Sequence, residues 1–186
     1  TSGIHVVMVD ISEAAVAKGI ATVASSLERL IKKEKISAAD RDAALARIKG
    51  STSYDDLKAS QLVIEAATEN HDLKVKILKQ IDAIVPADVI IASNTSSISI
   101  TKLAAVTSRP ERFIGMHFFN PVAMMALVEI IRGLQTSDAT HEAVQTMAKA
   151  LGKTPITVKN APGFVVNRIL VPMINEAFFV LSEGLA

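Results

Sequence analysis

Short runs of apolar and β-branched residues alternate along the chain with longer segments in which apolar residues recur every three or four positions. The short runs predict buried strands, because strands covered on both faces are apolar throughout. They lie at residues 6–9, 62–64, 89–91, 113–116, 127–131 and 156–158. The longer segments predict amphipathic helices. Strands and helices that alternate in this way favour a doubly wound α/β fold.

Capping residues indicate where these helices begin and end. Ser12 precedes an apolar stripe that runs from Val16 to Leu30 and suits an N-cap. Ser37 starts a second helix, with Asp40 three residues later as in a capping box. The remaining landmarks are a third helix that starts near Asp72, a fourth that ends at Gly152, and a last one with Pro162 at its start and a kink at Pro172.

Composition narrows the class of protein. Of 186 residues, 49% are hydrophobic and 21% charged, with a net charge of +1, so neither disorder nor binding to nucleic acid is favoured. No apolar run approaches the roughly 20 residues that cross a bilayer, so we expect a protein without membrane association. The absence of cysteine excludes disulfides, a catalytic thiol and a cysteine-based metal site, and the cytoplasm is the expected compartment.

Polar side chains that could take part in catalysis lie on the predicted strands or just beyond their ends. Ser96 comes after the strand at 89–91, and His117 and Glu129 lie on the next two. Open α/β sheets bind their ligands at this edge. A lone histidine is more often structural than catalytic. His117 differs because Glu129, on the adjacent predicted strand, can accept a hydrogen bond from one ring nitrogen and fix the tautomer.

An acid also ends the first predicted strand. A carboxylate at Asp10 could accept the ribose hydroxyls of NAD, although an ordinary strand-end acid or helix cap is the alternative. The G-x-G-x-x-G turn that normally precedes such a strand does not occur. Glu65 is unusual inside an apolar run, and we interpret it either as a partnered buried carboxylate or as an edge residue.

The strings 90–97 (IIASNTSS) and 115–121 (GMHFFNP), followed by Glu129, resemble the 3-hydroxyacyl-CoA dehydrogenase family, of the 3-hydroxybutyryl-CoA dehydrogenase type. The resemblance runs from about Gly3 to the last residue. It implies reversible, NAD-dependent oxidation of a short-chain L-3-hydroxyacyl-CoA to 3-oxoacyl-CoA, in fatty acid or butanoate metabolism. The catalytic positions that it implies are Ser96, His117, Glu129 and Asn167.

The resemblance also implies binding residues. For the NAD cofactor they are Asp10, Glu69, Lys74, Ser96 and Asn120. For coenzyme A they are Ser26 and Lys33. The lysines around Lys33 lie at a predicted helix end, where a solvated basic face stabilised by the helix dipole is the simpler interpretation. No metal is implied.

By this resemblance, residues 1–161 form a Rossmann-like NAD-binding domain that lacks its first strand and glycine-rich turn, about two dozen residues of the family pattern. Residues 162–186 form the first helix of a truncated C-terminal helical domain. The full-length protein is then expected to be a homodimer. Two alternatives remain: a catalytically incomplete nucleotide- or CoA-binding fragment, and a related NAD-dependent dehydrogenase of sugar acids such as gulonate.

Overall fold

The computed structural model describes residues 1–186, which form two compact units. The first unit contains Thr1–Gln61 and Gln80–Ala87, and the second contains Leu62–Lys79 and Asp88–Ala186. One helix, α3 (His71–Ile84), has residues in both. Each unit has a parallel pair or sheet of strands, so the predicted α/β class with mostly parallel strands is confirmed.

The first unit is built on two parallel strands, β1 (Val6–Val9) and β2 (Ile48–Ser51). Helices α1 (Glu13–Lys32) and α2 (Ala38–Leu45) lie between them in the chain. Ser12 caps α1, and its side chain accepts a 3.2 Å hydrogen bond from Ala15 N. The capping box of Ser37 and Asp40 is also present. Both predicted helix starts are therefore confirmed.

The sequence pattern did not predict β2, because Lys49 and Gly50 interrupt its apolar character. Gly50 is required where α1 packs on this strand. A Cβ atom there would lie 2.4 Å from Cγ1 of Val16, closer than any real contact. The glycine allows the helix and the strand to approach closely, but it also removes the apolar side chain that would have identified the strand in the sequence.

The second unit is a five-stranded sheet in chain order. Its strands are β3 (Leu62–Glu65), β4 (Ile90–Ser93), β5 (Phe113–Phe118), β6 (Leu127–Arg132) and β7 (Thr154–Lys159). Strand β6 is antiparallel to β5, and the other neighbouring pairs are parallel. Helix α4 (Ile100–Ala104) lies between β4 and β5 in the chain. All the predicted strands are confirmed.

One face of this sheet packs against a helix through a cluster of buried apolar residues. Helix α5 (Asp138–Ala150) contributes Val144 and Ala148, which are buried against the strands. Their partners from the sheet are Ala92, Ile114, Met116, Val128 and Ile130. The periodic apolar residues of the predicted fourth helix thus form its packed face.

The last helix, α6, spans Val166–Ser182 and begins later than predicted. We expected Pro162 at its start, and this is wrong. Gly163 (φ +73°) and Phe164 (φ +51°) both have left-handed backbone conformations, which no α-helix continues through. Pro172 lies inside the helix, as the sequence indicated. No helix of the chain has the length and apolar character that spanning a bilayer demands.

Candidate active site

The antiparallel pairing of β5 and β6 places His117 directly opposite Glu129. Both residues are buried, with exposed fractions of 6% for the histidine and 0% for the glutamate. His117 Nδ1 lies 2.8 Å from Glu129 Oε2, a hydrogen-bond distance. Since the carboxylate accepts, Nδ1 carries the proton and Nε2 is the ring nitrogen able to exchange a proton with a ligand.

The other carboxylate oxygen of Glu129 holds the beginning of α6. Oε1 accepts hydrogen bonds of 3.0 Å from the backbone amides of Val165 and Val166. A negative charge at a helix N-terminus is stabilised by the unpaired amides and by the helix dipole. The buried glutamate is therefore fully engaged: one oxygen orients the histidine, and the other anchors a helix.

Two aromatic rings surround the imidazole. The ring centroid of His117 lies 4.5 Å from that of Phe119 and 5.9 Å from that of Phe164, both in tilted arrangements. Phe164 reaches this position from the left-handed turn before α6. The rings restrict rotation of the imidazole and shield its hydrogen bond to Glu129 from water.

Ser96 and Asn167 are brought together, as the predicted catalytic set requires. Asn167 Nδ2 donates a 3.2 Å hydrogen bond to the carbonyl oxygen of Ser96. On its other side the Ser96 amide donates to Glu69 Oε1 at 2.6 Å, and Thr95 Oγ1 donates to Glu69 Oε2 at 2.7 Å. Glu69 and Asn167 thus fix the backbone that carries the Ser96 hydroxyl.

Glu69 remains a carboxylate in this arrangement. Partial burial raises the pKa of Glu69, but the hydrogen bonds from Ser96 and Thr95 outweigh this effect and hold the pKa below its ordinary value. Both oxygens accept hydrogen bonds from the 95–96 segment, so the visible role of Glu69 is to position Ser96.

Lys74, predicted to bind the cofactor, has its ammonium group in the interior. The side chain is 1% exposed and forms an ion pair with Glu65, whose side chain is also 1% exposed. Ser93 Oγ donates to Glu65 Oε2 at 2.9 Å, and the Ala67 amide donates to Oε1 at 2.9 Å. Glu65 is thus the partnered buried carboxylate of the two interpretations. Nothing in the sequence pattern paired it with Lys74 and Ser93.

Asn120 is exposed and lies two residues beyond β5. The loop that follows it is held by Lys153, whose Nζ donates to the carbonyl oxygens of Val122 and Met125. Met124 in this loop is 66% exposed. The sequence did not indicate that Lys153 fixes this loop, since the contacts join residues 31 and 28 positions apart along the chain.

The remaining predicted binding residues belong to the first unit. Asp10 follows β1, is exposed, and accepts a 2.7 Å hydrogen bond from the Ile11 amide through Oδ1. Ser26 donates to the Thr22 carbonyl within α1 at 3.0 Å. Lys33 is exposed at the C-cap of the same helix, where a positive charge is favoured.

Comparison with known proteins gives consistent matches. Residues 1–161 match the family model of the 3-hydroxyacyl-CoA dehydrogenase, NAD binding domain. A 3-hydroxybutyryl-CoA dehydrogenase of Bradyrhizobium diazoefficiens is 47% identical over 98% of this chain and 62% of its own length. The fatty acid oxidation complex subunit alpha of Acinetobacter baylyi is 44% identical over 99% of this chain and 26% of its own length.

Solved structures agree with these matches. The crystal structure of (S)-3-hydroxybutyryl-CoA dehydrogenase from Ralstonia eutropha is 79% identical, with a TM-score of 0.96, over 100% of this chain and 65% of that one. The chain spans about 62% of the length of the curated 3-hydroxybutyryl-CoA dehydrogenases it matches first.

Proposed function

The chain belongs to the 3-hydroxyacyl-CoA dehydrogenase family, and on this premise we propose that it carries the catalytic residues for NAD-dependent oxidation of a short-chain L-3-hydroxyacyl-CoA, such as 3-hydroxybutyryl-CoA, to the 3-oxoacyl-CoA. The reaction is reversible. The observation that carries the proposal is the buried hydrogen bond of 2.8 Å between His117 Nδ1 and Glu129 Oε2.

His117 is the proposed acid-base group. Its Nε2 takes the proton of the substrate hydroxyl during oxidation and returns it during reduction. Glu129 stabilises the positive charge that the ring then carries, because its carboxylate is buried and fixed by the helix amides. A positioned general base typically contributes about 10²–10⁴-fold to the rate.

Ser96 and Asn167 orient the substrate in this scheme. The Asn167 amide donates to the Ser96 carbonyl oxygen, so its side chain lies beside the backbone that carries the Ser96 hydroxyl. Their hydroxyl and amide groups can donate to the reacting oxygen or to the neighbouring thioester carbonyl. Such fixed donors lower the barrier by holding the substrate near its reactive geometry.

NAD, when bound, accepts the hydride. Asp10 suits a ribose, because its carboxylate is exposed and has a second oxygen besides the one that accepts the hydrogen bond from the Ile11 amide. Asn120 is also exposed and able to contact the cofactor. Lys74 does not fit as a direct ligand, since its ammonium group is buried against Glu65. The proposed contacts with coenzyme A are the exposed cation of Lys33, which suits a phosphate, and the half-buried hydroxyl of Ser26, which donates to the Thr22 carbonyl oxygen.

The same proposal includes a homodimer of the full-length protein. Helix α6 leaves large apolar side chains in solvent, among them Ile169 at 64% and Phe178 at 66% exposure. Apolar surface of this extent supports further protein contacts. Light scattering of the full-length protein tests it, and a monomer at micromolar concentration would reject it.

The test measures consumption of NADH with acetoacetyl-CoA. It uses this chain and a chimaera in which residues 1–186 replace the matching segment of the Ralstonia eutropha enzyme. We expect turnover in the chimaera and its loss on His117→Gln, with NADH affinity, measured by fluorescence, little changed. A folded chimaera that binds NADH without turnover would reject the proposal, as would a fully active His117→Gln variant. Turnover in the chimaera but not in residues 1–186 alone would indicate that this chain does not complete the reaction by itself, and NADH fluorescence of the chain would then decide whether it binds the cofactor.

A further inference from the structure

Near His117, the end of β5 loses backbone pairing on one side. Strand β4 ends at Ser93, which pairs with Gly115 of β5. Strand β5 continues to Phe118, and its other side stays paired with β6 up to Phe118 opposite Val128. The last residues of β5, including His117, therefore lack a neighbouring strand where β4 has departed.

The side chain of Asn94 replaces the missing strand at this point. Its Oδ1 accepts a 2.9 Å hydrogen bond from the Phe118 amide. Its own backbone amide donates to the Glu65 carbonyl oxygen at 2.8 Å. A side-chain carbonyl thus takes the place of a backbone carbonyl, and the ends of β3, β4 and β5 stay joined while the chain turns away toward Ser96.

The residues on either side of Asn94 are fixed by separate contacts. Ser93 is 0% exposed and bonded to Glu65, and Thr95 is 1% exposed and bonded to Glu69. The residues that precede and follow Asn94 are therefore both held in place. Its side chain can hold Phe118 in place rather than merely follow it.

We propose that Asn94 is a positioning residue for the dehydrogenase reaction. It links the segment that carries Ser96 to the strand that carries His117, through the amide one residue beyond the histidine. Loss of this link frees the end of β5 on one side and lets the imidazole shift relative to Glu129 and Ser96. The inference rests on the proposed function, in which these groups act on one substrate.

The test compares three variants of the chimaera. Asn94→Ala removes the acceptor, whereas Asn94→Asp keeps an oxygen at that position and removes the amide donors. The matched control is Asn160→Ala, which loses a similar hydrogen bond, from the Ile100 amide to Asn160 Oδ1 at 2.8 Å. Turnover, KM for NADH, thermal unfolding and the ¹⁵N signals of the His117 ring are measured for each. Hydrogen exchange of the Phe118 amide is followed as well.

For Asn94→Ala we expect kcat to fall by up to about 10²-fold, the effect of a small misplacement of catalytic groups. The KM for NADH should stay unchanged, the Phe118 amide should exchange faster, and the ring signals should shift. Asn94→Asp should retain most activity and a protected Phe118 amide. Asn160→Ala should lower the unfolding temperature with kcat unchanged.

Three results would overturn the proposal. The first is an Asn94→Ala variant with the parent kcat and unaltered ring signals. The second is an Asn94→Asp variant as slow as Asn94→Ala, because the amide group would then contact the ligand directly. The third is an equal loss of kcat in Asn160→Ala, the sign of a general packing effect. The ring signals and amide exchange need no turnover, so they still decide the position of Asn94 if the proposed reaction fails.

Discussion

Replacement of Glu129 by glutamine separates the charge of this residue from its shape. The glutamine carbonyl must face Val165 and Val166, because both of their amides are donors aimed at Oε1. The glutamine NH₂ group must then face His117 Nδ1, which in the parent lies 2.8 Å from Oε2. A donor at that position forces Nδ1 to accept, so the ring proton moves to Nε2, the atom that should act as the base.

The cost to the reaction follows from this change of tautomer. We expect Glu129→Gln to lower kcat by about 10²–10⁴-fold, the usual contribution of a general base. Stability should fall less. Each of the two helix amides exchanges a charged acceptor, worth about 1.5–3 kcal/mol, for a neutral one worth about 0.5–1.5 kcal/mol. The glutamine is also easier to bury than a carboxylate, which offsets part of the loss. A net destabilisation of about 1–3 kcal/mol is expected.

The assay combines turnover of NADH with acetoacetyl-CoA, urea unfolding and ¹⁵N NMR of the imidazole in the chimaera. Glu142→Gln is the matched control, since it makes the same change of charge at an exposed position on α5. The control should retain the parent rate and ring signals. A folded Glu129→Gln variant with the parent kcat, or with the ring proton still on Nδ1, would refute the reasoning.

Two further predictions concern stability. Lys74→Met and Glu65→Gln should each destabilise the fold, because each breaks the buried ion pair. Lys74→Met, which leaves the Glu65 charge buried and unpaired, should cost about 3–5 kcal/mol, and the double variant should recover most of the loss. Additive losses in urea unfolding would contradict this. Partial burial and the nearby Arg132 lower the pKa of His141 below its ordinary value. The His141 imidazole therefore takes up a proton more readily in the unfolded chain than in the folded one. As the pH is lowered through about 6.5, the free energy of unfolding falls. His141→Gln should reduce that fall between about pH 7 and about pH 5, and an identical pH dependence in thermal unfolding would count against it.

The strands of the larger sheet could be predicted because burial on both faces demands continuous apolar runs, which the sequence shows directly. The pair of His117 and Glu129 could be anticipated for a related reason. Neighbouring strands bring opposite residues together, so two polar residues inside apolar runs suggest a contact. Strand β2 lacked such a run, since its glycine serves the packing of α1.

Other contacts of the site could not be read from the sequence. The donors of Val165 and Val166 are backbone amides, which every residue except proline has, so their side chains give no signal. The resemblance assigned Lys74 to the cofactor from its position in a motif. Only the fold shows that the ammonium group turns inward to Glu65. The late start of α6 depends on the left-handed conformation of Phe164, which is rare for a residue other than glycine.

The double engagement of Glu129 makes one side chain serve two parts of the fold. Oε2 meets the ring of His117, and Oε1 meets the backbone amides at the start of α6. A displacement of α6 that pulls on the carboxylate therefore also disturbs the imidazole. Any ligand or partner that secures the start of α6 steadies the histidine as well, because both depend on the same buried side chain.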